Sequence, residues 1–311
     1  MNRSTVYRWL RRLAVTIAVI IGLVLFVVLP MGGSYLITNS RFQNPERGAS
    51  TPEALGLPVT EVEFQAIDGV QLRGWWSPGD PSQPVIIFLH GLNRSRLELL
   101  DRAAQANRRG YGVLLFDLRK HGESGGQYTS LGIFESRDAC GAREFVKEKE
   151  GNRAQFFWGV SMGASTALLA AKSCPGASGI VSDSSFLSLR ETVSHHLTLI
   201  FGLPPFPIAN LIVLITGLRM GFDPDDGDVE AAVREFGDTP VLFIAGGNDR
   251  RMPVALAQRL LAAAHSPAKE LLIVPGAGHG DAYAVDSAGY LNSVFRFFER
   301  VRYNPGSPGG S

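Results

Sequence analysis

Cysteine is almost absent from this chain: two in 311 residues, which excludes a small fold stapled by several disulfides. An excess of charge of either sign is also missing. With 30 Lys+Arg against 29 Asp+Glu the net charge is +1, so no whole-protein basic field points to nucleic acid. Metal signatures of the H-E-x-x-H or C-x-x-C type are absent, the His positions lack ligand spacing, and no Gly-rich nucleotide fingerprint follows a strand. No cofactor is implied. Polar bias is lacking as well. At 45% hydrophobic residues the chain can bury a sizeable core, which excludes disorder as the main state. The length allows one large domain or two modest ones.

What is present begins at the N-terminus, where the first 40 residues read as a separate physical object. Leu13 to Met31 is a charge-free run of 19 residues. As a helix it would be roughly 28 Å long, close to the hydrocarbon thickness of a bilayer. Arg3, Arg8, Arg11 and Arg12 precede it, and no acid occurs before Glu46. The positive-inside rule then leaves the N-terminus in the cytoplasm and the remainder outside, as a single-pass membrane protein. A cleaved signal peptide ending near Gly32-Gly33-Ser34 is the competing reading, but the run exceeds a signal h-region and lacks an A-x-A ending. The organisation expected is an anchor over 1–37, a polar linker over 38–57, a catalytic domain over 58–303, and a disordered NPGSPGGS tail over 304–311.

Between 58 and 303 short β-rich runs alternate with helical patterns. Strands are expected at Thr60–Ala66, Gln71–Trp76, Val85–Leu89, Gly112–Asp117, Gln155–Gly159, Gly179–Ser182, Val241–Ala245 and Glu270–Val274. The middle ones are apolar throughout, as strands buried on both faces should be. Helical patterns lie near 95–108, 133–149, 162–173, 254–264 and 281–302. The alternation indicates an α/β fold with a mostly parallel sheet covered on both faces, and the first two strands an antiparallel hairpin at one edge. Residues 186–238 break the pattern. Within them Leu197–Leu218 carries no charge, but Pro204, Pro205 and Pro207 interrupt it, so a helical lid fits better than a second span. Its apolar residues would face an acyl-bearing substrate or simply pack on the core.

Gly159-Val160-Ser161-Met162-Gly163 matches G-x-S-x-G. The motif alone is weak, but a buried strand run precedes it and a helix former follows, the context a nucleophile elbow requires. The bland alternative is a Gly-rich turn with a capping Ser. A serine hydroxyl needs a base to take its proton and an acid to orient that base. Of six His, His279 in PGAGHGD follows the last strand and could reach Ser161. His195-His196 lie in the lid and His265 ends a surface helix, so these read as solvated. Asp249 in AGGNDRRMP follows the strand VLFIA, with Asp183 as the second candidate acid. The oxyanion of a tetrahedral intermediate would be held by the Met162 amide and one from the loop after Leu89, Leu92 first and Asn93 second. Cys140 and Cys174 fall on helices flanking the elbow strand. They read as two buried free thiols, with a disulfide as the alternative.

Together FLHGLNRS, FDLRKHGESGG, GVSMGAS, GGNDRRMP and GAGHGD resemble the α/β-hydrolase superfamily, nearest its serine-aminopeptidase-like and monoacylglycerol-lipase-like branch with membrane-anchored members. The resemblance spans about 58–302. It implies an esterase- or lipase-like serine hydrolase with a Ser161–His279–Asp249 triad and an oxyanion hole at Leu92 and Met162. It makes the turn of Asp117, Arg119, His121, Gly122 and Ser124 structural, so His121 would not be the base. Leu92 and Met252 depart from the residues many relatives carry there. The activity expected is cleavage of a carboxylic ester, thioester or amide in a small acyl-bearing, lipid-like substrate. A peptidase, or a non-catalytic scaffold on the same fold, remains the alternative.

Overall fold

The structure, a computed structural model, describes residues 3–39 and 50–302. The expected tail at 304–311 and half of the expected linker, residues 40–49, therefore lie outside the described residues. Eight strands form one sheet: β1 (Thr60–Gln65), β2 (Gln71–Ser77), β3 (Val85–Leu89), β4 (Gly112–Phe116), β5 (Gln155–Val160), β6 (Gly179–Asp183), β7 (Val241–Gly246) and β8 (Lys269–Val274). Their spatial order is β1-β2-β4-β3-β5-β6-β7-β8. β1 pairs antiparallel with β2, and β2 antiparallel with β4. Every later pair is parallel.

Alternation along each central strand sends successive side chains to opposite faces, and both faces are buried. Val85, Ile87 and Leu89 join one core cluster with α4 (Glu135–Glu150), α5 (Met162–Ser173), α8 (Val229–Glu235) and α9 (Val254–Ala263). Ile86 and Phe88 join the other, with α3 (Leu100–Asn107) and α11 (Ser287–Arg302). A short α10 (Ala282–Val285) leads into α11. Phe156 and Trp158 of β5 face the second cluster and stack on Phe298 and Tyr290. The 186–238 segment splits. Helix α8 belongs to the sheet's helical layer. The lid is α6 (Leu189–Phe201) and α7 (Ile208–Met220), joined across the proline turn. At about 1.5 Å per residue α7 is roughly 20 Å long, too short to span.

The N-terminal helix runs from Arg3 to Asn39, the one helix among the described residues long and apolar enough to cross a membrane. It comprises α1 (Arg3–Leu23) and α2 (Leu29–Asn39), joined by a π-helical turn at Val24–Val28. It is not a separate object. Pro30, Ser34 and Thr38, four residues apart on one face, are buried, and α2 packs along α7. The Arg219 guanidinium donates to Ser34 Oγ at 2.7 Å, and the Thr129 amide to Thr38 O at 3.1 Å.

The cysteine expectation is corrected. Cys140 and Cys174 form a disulfide joining α4 to the end of α5, with Cα atoms 5.9 Å apart. Two neighbouring helices on one sheet face bring the pair within bridging distance, which spacing in sequence does not reveal. Thiol titration of the unfolded, unreduced protein should return none, and two after reduction. Cys140→Ser should destabilise the oxidised protein by about 3–4 kcal/mol by loop entropy, read as a fall in denaturation midpoint.

Candidate active site

Ser161 sits between the last residue of β5 and the first of α5 with φ 54° and ψ −117°. A non-glycine residue resists that region, so the surrounding structure must impose it. Two close approaches do. A Cβ on Gly163 would lie 2.0 Å from Leu89 O, and one on Gly159 would lie 2.3 Å from Gly163 O. Only glycine lets strand and helix come this near. The Ser161 amide donates to Asp183 O on the neighbouring strand at 2.8 Å, which fixes the elbow from below.

The structure brings Ser161, His279 and Asp249 into one hydrogen-bonded line. Ser161 Oγ lies 2.8 Å from His279 Nε2, and His279 Nδ1 lies 2.8 Å from Asp249 Oδ2. The Asp249 carboxylate is fully buried, and its other oxygen accepts the Arg251 and Met252 amides, both at 2.8 Å. Those bonds hold the acid in the turn after β7. The Asn248 amide donates to Ala277 O at 2.8 Å, tying the acid's loop to the histidine's. Asp183 is placed elsewhere. Its carboxylate accepts the hydroxyls of Ser184 (2.9 Å) and Tyr290 (3.0 Å), and burial holds its pKa above the ordinary carboxylate value.

The loop after β3 is held by two histidines. His90 Nε2 accepts the Leu118 amide at 3.0 Å, and His121 Nε2 accepts the Asn93 amide at 3.2 Å. Their Nδ1 atoms lie 2.8 Å from the carbonyls of Gly91 and Arg119. Each ring thus donates at Nδ1 and accepts at Nε2, the neutral tautomer. Burial, with His121 alongside, pushes His90 down to about 4. Burial lowers His121 too. The Asn93 amide being spent, the Leu92 amide is left without a partner among the described residues. Met162 opens α5, where the first amide has no intrahelical acceptor. Leu92, Ser161 and Met162 all line one cavity of about 290 Å³.

Sequence reasoning missed two supports, Glu98 and Glu135. The Glu98 carboxylate accepts the Gly91 amide at 2.6 Å, and burial raises its pKa. Glu135 gathers Thr129 Oγ1, Ser130 N and Oγ, and Gly132 N at 2.7–2.9 Å, fixing the loop beside Met162. Asp117, which the resemblance placed in a structural turn, accepts the Arg96 amide and Nε and the Glu123 amide, so the 117–124 turn is a clasp. Acids in such turns carry no local signal beyond their burial. His265 and His195 are exposed as expected, but His196 is half-buried and lines the cavity.

Fold and site define an α/β-hydrolase type of enzyme. Residues 80–215 match the family described as serine aminopeptidase, S33. The Mycobacterium tuberculosis (strain H37Rv) protein Rv2307c is 30% identical over 260 residues, covering 81% of this chain and 84% of its own. The solved structure of the Pyrococcus furiosus esterase Pf2001 superposes with a TM-score of 0.69 at 26% identity, covering 85% of this chain and 97% of that one. The Saccharomyces cerevisiae membrane protein YNL320W is 21% identical over 265 residues, 84% of this chain and 87% of its own. The chain belongs to the serine aminopeptidase S33 family of α/β-hydrolases and is an esterase-like hydrolase. A membrane-protein relative and the apolar N-terminal helix both fit a membrane anchor.

The histidine pair predicts a pH effect. The unfolded chain binds protons at His90 below about pH 6.5, whereas the folded protein resists until about 4. Stability from this group is therefore present above pH 6.5 and lost as pH falls through that window. Between pH 7 and 4.5 the stability of His90→Asn should fall less than that of the parent, by on the order of 2 kcal/mol in chemical denaturation.

Proposed function

We propose that the protein hydrolyses carboxylic esters of small acyl-bearing molecules through a covalent acyl-enzyme. The observation that carries this is the unbroken line Ser161 Oγ–His279 Nε2–Asp249 Oδ2, with both contacts at 2.8 Å. Ser161 Oγ attacks the carbonyl carbon while His279 Nε2 takes its proton. Asp249 orients the ring and stabilises the imidazolium that forms. The developing oxyanion accepts the Leu92 and Met162 amides. His279 then returns the proton to the leaving alcohol, and the ester C–O bond breaks. Water, deprotonated by His279, attacks the acyl-enzyme and releases the acid, restoring Ser161. Apolar lining of the cavity by Leu131, Phe186, Val193 and Leu197 supports an acyl group rather than a peptide. Similarity to a solved esterase supports the same reading.

Ser161→Ala, His279→Ala and Asp249→Asn should each lower turnover of p-nitrophenyl esters by roughly 10³-fold or more, far less than additively in combination. A fluorophosphonate probe should label the parent and not Ser161→Ala. Near-parental hydrolysis by Ser161→Ala, or no labelling of the parent, would overturn the assignment and favour a non-catalytic scaffold.

The proposal extends to location: one span, N-terminus in the cytoplasm, catalytic domain outside. Four arginines ahead of Leu13 support this orientation, as does the Cys140–Cys174 disulfide, a bond that persists in oxidising compartments and is rare in cytosol. A periplasmic or extracellular reporter fused at the C-terminus should be active. Activity of a cytoplasmic reporter there would reverse the topology.

A further inference from the structure

The cavity at Ser161 has a wall that the hydrolase domain does not supply. Gly33, Leu36 and Ile37 of α2 line it together with Leu92 and Met162. The same end of the helix is clamped in place by Arg219 on Ser34 and by Thr129 on Thr38. Gly33 meets the lid closely, since a Cβ there would stand 2.8 Å from Ile212 Cδ1. The anchor's outer end is thus a built part of the pocket.

Its height in a bilayer follows from the sequence. No charged residue occurs from Leu13 to Asn39, 27 residues or roughly 40 Å of helix. Hydrocarbon about 30 Å thick takes up some 20 of them, ending near Gly32 if Leu13 marks the inner boundary. Gly33, Leu36 and Ile37 then lie within about 7 Å above the hydrocarbon, at the headgroup level where the ester bonds of membrane lipids sit. The lid meets that level with an exposed apolar face. Ile200, Phe201, Phe206, Leu214 and Leu218 are each more than half exposed, beside exposed Tyr35 and Leu36 of the helix. Such side chains in water would be costly; in the outer leaflet they are at home.

Resting on the esterase reading above, we propose that α2 is the third wall of the acyl pocket and that the substrate is an acyl ester resident in the outer leaflet. It enters sideways between Leu36 of α2 and Phe201 of α6, both exposed at the cavity, its acyl chain against Leu36 and Ile37 and its carbonyl at Ser161, without passing through water. Leu36 and Ile37 are then specificity-determining residues, while Gly33 is small so that Ile212 of the lid can seat against the helix.

The test uses the full chain in vesicles of dioleoylphosphatidylcholine with a tenth dioleoylglycerol, following oleate release, and p-nitrophenyl acetate in parallel. The parent should release oleate. Ile37→Trp should lower the ratio of oleate release to acetate hydrolysis by roughly tenfold or more, the scale on which a hydrophobic pocket senses added methylenes. Leu36→Trp, at the cavity edge on an exposed part of the helix, should do the same and serves if Ile37→Trp does not accumulate. Val28→Leu, on the exposed side of the span, should leave the ratio as in the parent. No oleate release by a protein that turns over acetate, or parental ratios in both pocket variants, overturns the inference alone. Loss of acetate hydrolysis in the parent, or its persistence in Ser161→Ala, instead overturns the esterase reading beneath it.

Discussion

A single strained residue organises the molecule. Ser161 holds φ 54° because β5 must turn directly into α5, and that turn is tight only because Gly159 and Gly163 let backbone touch backbone. The cost of order 1–3 kcal/mol is carried by the sheet around it. β5 lies at the centre, hydrogen-bonded to β3 and β6, with Trp158 buried against Phe88 and Tyr290. The elbow presents the hydroxyl above the sheet edge, where the loops after β3, β7 and β8 converge. Remove the close approach and the hydroxyl drops out of reach of His279.

Those loops are long and polar, so something other than apolar burial must fix them. Buried charge and neutral imidazole share the work. Glu135 holds the 129–132 loop with four short bonds, Asp117 and Arg96 clasp the turn that carries His121, and His90 and His121 pin the loop carrying Leu92. Each of these four residues, Glu135, Asp117, His90 and His121, accepts at least one backbone amide, the condition under which buried polar groups do not destabilise a fold. The polar framework is a rigid cradle on which the small apolar cavity is hung.

Much of this was legible in the sequence, for identifiable reasons. Val85–Leu89 and Val241–Ala245 are uninterrupted apolar runs between turn residues, a pattern that means a doubly buried strand in any context. The positions of Asp249 and His279, each just past a strand, place them on one rim of a parallel sheet. The edge hairpin followed from two β-rich runs too close for a crossover helix. Contacts between elements distant in sequence were not legible. Cys140 and Cys174 bridge helices whose distance apart depends on sheet order. Glu98 and Glu135 are ordinary helix-start acids until loops fold over them. The docking of α2 on α7 pairs residues such as Ser34 and Arg219, 185 positions apart. No local periodicity encodes that pairing.

That docking changes what the N-terminal helix is for. A domain tied to a membrane by a flexible tether samples a hemisphere of solution, with an effective concentration set by tether length. Here the helix and the lid share a packed face, so a bilayer around the helix also sets the height and tilt of the pocket mouth. For the proposed leaflet substrate the relevant concentration would be a mole fraction in the membrane, a two-dimensional quantity independent of bulk volume. A bilayer around the helix would thus hold the catalytic domain as an instrument at fixed focus on its surface.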